Sequence, residues 1–395
     1  SQHTRVYKRD NVIKDRQILD QLLETVIRFV SQELIPTEAQ VAEQNDIPTE
    51  LIAKMAELGL FGLSIPTSYG GLGLTMEEEC LVALELGRAS PAFRTVVGTN
   101  IGIGSQGLIM DGRPDQKDYW LPRLASGEVI SSFALTEPDA GSDAGSIRTS
   151  AVRDGDCYRL NGTKRFITNA DKAGLFTVMA RTDPESQGSR GVSAFLVPAQ
   201  TPGLTIGIPE QKMGQHGTHV CDVVLNDAEI PASALLGTEE GKGFVTAMKV
   251  LERGRLHISA VCVGIADRLI DESTRYAAQR KQFGQAIGEF QLVQGMLADM
   301  KTEWYAGRSM VIDAARKKDL DETVATESSC CKYFCSEMVG RVADRAVQIF
   351  GGAGYIADYG IERFYRDVRI FRLYEGTSQI QQLIIARNML RELTD

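Results

Sequence analysis

The run RIFRLYEGTSQIQQLIIARNML, residues 369–390, sets one carboxylate, Glu375, between the ring of Tyr374 and Gly376. A helix-forming stretch follows at once. A carboxylate held there can take a proton from a carbon acid, provided that the charge it creates is stabilised as it forms. Gly376 would remove side-chain bulk where the reacting group must approach. The plainer alternative is a capping turn in which Glu375 only complements a helix dipole. Ser378 and Gln381 have capping-box spacing, which predicts a helix starting near Thr377 or Ser378.

Four other stretches carry chemistry. FALTEPDAGSD (133–143) ends a strand and opens a loop. It is either a plain turn or a flavin- and phosphate-facing loop with backbone amides and Ser142 as donors. NGTKRFITNA (161–170) reads as a turn at Asn161-Gly162 followed by a strand. Phe166 and Thr168 would then share one strand face, suited to the side of a flavin ring, or to an ordinary half-buried strand. RKQFG (280–284) places a charged pair after a long helix, and QIFGGAGY (348–355) ends one with a glycine pair. That pair is a C-cap or a close approach for a nucleotide; no strand precedes it, so it is not a dinucleotide fingerprint. Cys80, Cys157, Cys221, Cys262, Cys330, Cys331 and Cys335 have no framework spacing, which points to a reducing compartment and buried, inert thiols without a metal.

The elements that must position these residues follow from proline usage and periodicity. All 12 prolines lie at or before Pro231, and the 164 residues beyond it are periodic at three- and four-residue steps, as in a helical bundle. The N-terminal third also reads as helices, over 20–34, 50–60, 77–87 and 100–110, broken by Pro36, Pro48 and Pro66. YRLNGTKRFITNA, LFTVMART, GVSAFLVP and VCDVVLND are short β-branched runs of an antiparallel β domain. The 395 residues, 43% hydrophobic and 24% charged, suffice for more than one domain. A formal net charge of -9 argues against a general nucleic-acid binder. No run approaches the ~20 apolar residues of a membrane span. The start, SQHTRVYKRDNVIKDRQ, lacks the apolar core of a secretory signal.

In this order and spacing, LTEPDAGSD, NGTKRFITNA, KMGQHGT, RKQFG, QIFGGAGY, YRDVRI and YEGTSQIQ resemble the acyl-CoA dehydrogenase family over essentially the whole chain. The resemblance implies a mainly α protein with a central β domain. An N-terminal helical bundle would span 1–131, a middle antiparallel β-barrel 132–241 and a C-terminal four-helix bundle 242–395. It implies non-covalent FAD, a homotetramer built as a dimer of dimers, and electron-transferring flavoprotein as acceptor. Glu375 would remove the α-proton of an acyl-CoA thioester while the β-hydride passes to flavin N5, giving the trans-2-enoyl-CoA. The thioester carbonyl would be bonded by the Glu375 backbone amide and a ribityl hydroxyl. Phe133, Leu135, Thr136, Ser142, Phe166, Thr168, Thr377 and Gln379 would contact FAD. Arg280, Phe283, Gln348 and Gly352 would reach the FAD of a neighbouring subunit. Ser142, Glu252, Arg255, Tyr374 and Gly376 would contact the substrate, Glu252 and Arg255 through its CoA part.

Two departures sharpen the reading. Phe166 stands where the family usually has tryptophan, so it covers a ring face without an indole donor. Some branches carry the base on an earlier helix; the matching residue here is Gly254, which leaves Glu375. Arg94, 42 residues before Thr136, matches the position at which the glutaryl-CoA branch binds a distal carboxylate. Gly87 and Ser378-Gln379-Ile380 depart from that branch, so decarboxylation after oxidation is not implied. The rivals are an ion-paired arginine beside an aliphatic pocket, an oxygen-using acyl-CoA oxidase, and a non-catalytic binding protein on this fold. The expected compartment is the bacterial cytoplasm, or the mitochondrial matrix for a processed eukaryotic protein.

Overall fold

The computed structural model describes residues 12–394. Residues 1–11, part of the segment read as lacking a secretory signal, lie outside the described residues, as does Asp395. Helix α1 (Arg16–Phe29) starts on Asp15, whose carboxylate accepts from the N–H groups of Gln17 and Ile18. It continues through a π-helical turn, Val30–Leu34, into α2 (Ile35–Gln44). The break expected at Pro36 is therefore absent. The wider turn ahead of Pro36 absorbs its missing N–H and its ring. Then come α3 (Thr49–Glu57), α4 (Met76–Leu86), α5 (Pro91–Ile101), α6 (Ile103–Asp111) and α7 (Pro114–Ala125). Pro91 and Pro114 open helices rather than loops, because the first helical position needs no N–H donor.

The middle of the chain is one seven-stranded sheet: β1 (Ser131–Ala134), β2 (Ser150–Asp154), β3 (Cys157–Thr168), β4 (Leu175–Arg181), β5 (Val192–Pro198), β6 (Leu204–Ile206) and β7 (Val220–Pro231). The strand order is β1-β4-β2-β3-β7-β6, with β5 also paired to β4. Most pairs are antiparallel, but β1 runs parallel to β4, from Ser131↔Leu175 to Ala134↔Val178, and β2 meets β4 in parallel at Ser150↔Arg181. The wholly antiparallel expectation is corrected there. β1 enters from α7 and finds its partner only after β2 and β3, not across a hairpin.

The turn read at Asn161-Gly162 is likewise a bulge inside β3. The register with β7 shifts between Leu160 and Gly162, and again between Lys164 and Ile167. Asn161 Oδ1 accepts from the Asp227 N–H at 2.7 Å. A Cβ on Gly162 would stand 2.2 Å from Thr149 Oγ1, so the strand needs glycine to pass its neighbour.

The last third comprises α8 (Gly243–Gln279), a small hairpin of β8 (Lys281–Gln282) and β9 (Gln285–Ala286), α9 (Gln291–Asp319), α10 (Ala325–Phe350), α11 (Gly352–Tyr355), α12 (Ile361–Asp367) and α13 (Ser378–Arg391). α8, α9, α10 and α13 form the expected bundle around residues such as Val263, Met338 and Val342. That core does not stop at the bundle. Met76, Cys80 and Ala83 of α4 belong to it. α4 and α8 cross at backbone contact: a Cβ on Gly264 would lie 2.1 Å from the Leu84 carbonyl oxygen. Asp319, at the end of α9, caps α4 by accepting from the N–H groups of Met76 at 2.7 Å and Glu77 at 2.9 Å.

Candidate active site

Glu375 has φ 53° and Gly376 φ 87°, two successive left-handed residues. Glycine accepts this freely, but a glutamate held there costs about 1–3 kcal/mol and persists only when its surroundings fix it. They do. Lys332 Nζ, reaching from α10, donates to the Tyr374 carbonyl at 2.8 Å and to the Gly376 carbonyl at 2.6 Å. Gln381 Nε2 donates to the carbonyls of Glu375 at 3.3 Å and Gly376 at 3.1 Å. Thr377 caps α13 by accepting from the Ile380 N–H at 3.2 Å. The helix starts where the sequence reading puts it, but without the capping box. Gln381 turns to the base loop instead, and Ser378 Oγ donates to Glu337 at 2.7 Å.

The carboxylate enters a guarded space. Glu375 Oε2 is buried and has no hydrogen-bond partner among the described residues. A Cβ built on Gly254 would stand 3.7 Å from that oxygen, so positions 254 and 375 open on the same space. Arg255, 8% exposed, adds a guanidinium whose pKa burial lowers and Glu375 and Glu252 raise in part. Glu252, three residues before it, points elsewhere: it pairs with Lys318 at 2.8 Å. With Ser189, Arg190, Phe244, Met248 and Lys249 it lines a cavity of about 450 Å³.

Arg94 lies on α5, 7% exposed, and its Nε donates to His257 Nε2 at 3.0 Å. Gly98, one turn on, leaves the room: a Cβ there would stand 2.9 Å from Arg94 Cζ. His257 Nδ1 faces Glu79 Oε2 at 3.5 Å, and Arg253 Nη2 lies 3.4 Å from Glu79 Oε1. Burial and then the charge of Arg94 depress the His257 pKa, so the imidazole accepts as a neutral ring. Burial works against ionised Glu79, yet Arg253, His257 and Ser64 together hold its pKa at about 2. Glu79 is thus paired with Arg253 and faces the neutral His257 ring, while Arg94 forms no ion pair with a carboxylate among the described residues. Arg94 also lies within reach of Tyr374. Burial pushes that phenol far above its usual range, and the Arg94 charge opposes the shift.

The remaining sequence-predicted residues fall into two groups. Phe133, Leu135, Thr136, Phe166 and Thr168 lie where β1 and its loop meet the bulged end of β3. The Arg165 N–H donates to the Thr136 carbonyl at 2.8 Å, and Ser132 Oγ to the Thr168 carbonyl at 2.7 Å. Buried Lys164 fixes the loop from beneath, donating to the Leu135 carbonyl at 2.9 Å and to Glu137 at 2.7 Å. Phe166 has φ 57° and is 58% exposed, a ring held outward by a strained backbone. Strict alternation with Thr168 fails, because the bulge adds a residue there. Ser142 is exposed on the loop. An uncovered aromatic ring on the β3 end that the backbone ties to Thr136 fits one face of a flat flavin.

Arg280, Phe283, Gln348 and Gly352 do not join this group. Arg280 is 25 residues beyond Arg255 on α8, or roughly 37 Å at 1.5 Å per residue. The Tyr276 and Phe350 rings stack at 4.1 Å and bring the 280–284 hairpin beside the 348–352 turn. Phe283 is 93% exposed with φ 54°. Gln379, on the first turn of α13, is exposed too, whereas Thr377 is half-buried.

Sequence reasoning passed over Lys332, Lys164, His257 and Glu79. Lys332 had a signal: the residues one turn either side, Ser328, Ser329, Cys335 and Ser336, are small and all buried, which leaves a channel for a long side chain. Among the described residues no group of three or more His, Cys, Asp or Glu side chains is arranged for a metal ion. Burial pushes the Cys331 thiol up to about 12.

Comparison with known proteins gives the arrangement its context. The family descriptions "Acyl-CoA dehydrogenase, N-terminal domain", "middle domain" and "C-terminal domain" match residues 18–128, 132–228 and 241–390. The chain is 41% identical over 363 residues to 3-(aryl)acrylate reductase of Clostridium sporogenes, covering 92% of this chain and 96% of the relative. It is 38% identical over 375 residues to the caffeyl-CoA reductase-Etf complex subunit CarC of Acetobacterium woodii, covering 94% and 98%. Butyryl-CoA dehydrogenase from Megasphaera elsdenii superposes with a TM-score of 0.91 at 35% identity, covering 94% of this chain and 98% of that one. The chain belongs to the acyl-CoA dehydrogenase family and is an FAD-dependent oxidoreductase of that family.

Proposed function

We propose that the protein interconverts an acyl-CoA thioester and its trans-2-enoyl-CoA, with Glu375 as the group that moves the α-proton. The observation that carries this is the buried, unpartnered Glu375 Oε2 on a backbone held left-handed by Lys332 and Gln381. Bound FAD supplies the acceptor for the β-hydride. The rest falls to the chain's own residues. Phe166, on the bulged end of β3, would cover one face of the flavin, and the Glu375 N–H would meet the thioester oxygen. The cavity beside Glu252, with Arg190 and Lys249 on its wall, offers charge for the CoA phosphates. Electrons pass to an electron-transferring flavoprotein, in keeping with the Etf-linked relative. The reductase names of two relatives fit the same residues working in reverse, with Glu375 returning the proton.

The proposal includes three units, 1–131, 132–241 and 242–395, assembled as a homotetramer. Exposed Phe283, Leu292 and Tyr355, at 93%, 87% and 84%, supply apolar surface for association, and Arg280, Phe283, Gln348 and Gly352 would serve a neighbouring subunit's FAD. A second reading has its own observation. Arg94 is buried and lacks a carboxylate partner among the described residues, which favours an acyl group ending in a carboxylate.

One experiment tests both. The yellow protein is mixed anaerobically with butyryl-, octanoyl- and glutaryl-CoA in turn, and flavin bleaching is followed. Glu375→Gln should keep the flavin and abolish bleaching; bleaching at the parent rate would remove Glu375 as the base. Selective bleaching by glutaryl-CoA supports the Arg94 clamp, and bleaching by the aliphatic thioesters alone retires it.

A further inference from the structure

Lys332 lies in the middle of α10 with its side chain wholly buried, and both of its hydrogen bonds go to backbone carbonyls. Those carbonyls belong to Tyr374 and Gly376, the residues on either side of Glu375. The peptide that joins Tyr374 to Glu375 is planar and trans, so its C=O and N–H point in opposite directions. An ammonium on the Tyr374 oxygen therefore fixes the direction of the Glu375 N–H. No carbonyl or side chain among the described residues accepts from that N–H. A cation bonded to one end of a peptide also polarises it and strengthens the donor at the other end.

We propose that Lys332 is a positioning residue for the reaction: through the Tyr374 carbonyl it aims and polarises the Glu375 N–H toward the thioester oxygen, and through the Gly376 carbonyl it holds the base in its left-handed conformation. The inference rests on the reading of Glu375 as the base. A purely structural role is poorly served by an ammonium, because the site disfavours its charge. Burial brings the Lys332 pKa down to about 8, with Glu375, Cys262 and Glu337 pulling it up and Arg255 pushing it further down. The charge therefore sits among the groups of the site rather than beside a dedicated counter-ion.

The test uses the flavin-loaded protein and whichever of butyryl-, octanoyl- or glutaryl-CoA bleaches the parent fastest. Lys332→Met should keep its flavin and its half-saturating thioester concentration, while the maximal bleaching rate falls ~100-fold, the scale of losing one donor to a developing oxyanion. If loss of the Lys332 proton slows the parent as pH rises through about 8, that decline should be missing in the variant. Infrared spectra of the bound enoyl-CoA, labelled at the thioester carbonyl, should show a weaker hydrogen bond to that carbonyl in the variant. A maximal rate within threefold of the parent, with an unmoved carbonyl band, overturns the proposal. If Lys332→Met does not fold, Lys332→Gln, which keeps a donor without the charge, is read by the same two criteria. Glu375→Gln, run in parallel, separates the ideas: bleaching in that variant removes the base itself, whereas loss there with full activity in the lysine variants removes only Lys332.

Discussion

Lys164 and Lys332 are two fully buried lysines, and burial brings both pKa values down to about 8. Each holds a loop of the site by its carbonyls. Lys164 also meets a carboxylate, Glu137, at 2.7 Å, whereas Lys332 forms no ion pair among the described residues. The flavin-side loop is thus clamped by a closed ion pair that has no charge left to lend. The base turn is held by a cation whose field remains available to the chemistry. Burying a charge costs several kcal/mol unless it is paired, so an ammonium kept without a dedicated partner points to use rather than to stability.

Four measurements bear on the contrast between the two lysines and their loops. Lys164→Met leaves the Glu137 carboxylate buried without its counter-charge, held only by the N–H groups of Arg148 and Thr149; we expect roughly 3–5 kcal/mol of destabilisation, read as a lower Tm and loss of flavin. Lys332→Met leaves two turn carbonyls without their donor, on a half-buried loop, and should cost only about 1–3 kcal/mol with flavin retained. Equal losses in the two variants would erase the distinction.

Acid titration gives the third, smaller contrast. Burial opposes ionised Glu137, but Lys164 and the bonds from Thr149 and Arg148 lower its pKa below 4.5. A carboxylate depressed in the fold contributes stability above its unfolded pKa and loses it as pH falls through the folded value. The Tm of the parent should therefore drop as pH falls from about 5 towards 3, and the slope attributable to this pair should vanish in Lys164→Met/Glu137→Gln. Lys332→Met should keep that slope, because no carboxylate is lost from its turn. The smallest effect belongs to Phe166→Trp. With the ring 58% exposed, stability should stay within about 0.5 kcal/mol, while the flavin absorption band shifts as an indole replaces the phenyl face.

Much of this was legible in the sequence because it rests on local rules. The proline-free last third is a helical bundle, and the start of α13 falls at Ser378. The charge-bearing turn before it stands out as a carboxylate next to glycine. What escaped was set by distant partners. The bulge at Gly162 is dictated by Thr149, just ahead of β2. β1 runs parallel because its partner comes after two other strands. Pro36 remains within a continuous helical run because a π-helical turn precedes it. Lys332 reads as one more polar residue of an amphipathic helix until the chain returns, more than 40 residues later, to lay its carbonyls on the ammonium.

The cap that Asp319 places on α4 has a consequence for how the chain comes into being. Met76 leaves the ribosome 243 residues before the side chain that accepts from its N–H. The apolar face of α4 likewise waits for α8 and the rest of the core it shares. The N-terminal helices can close their own core around Phe29, Phe61 and Phe93, but this face of α4 emerges before its partners have been synthesised. At 5–20 residues per second that interval lasts on the order of 10–50 s, a period in which exposed apolar surface depends on chaperones rather than on its own fold.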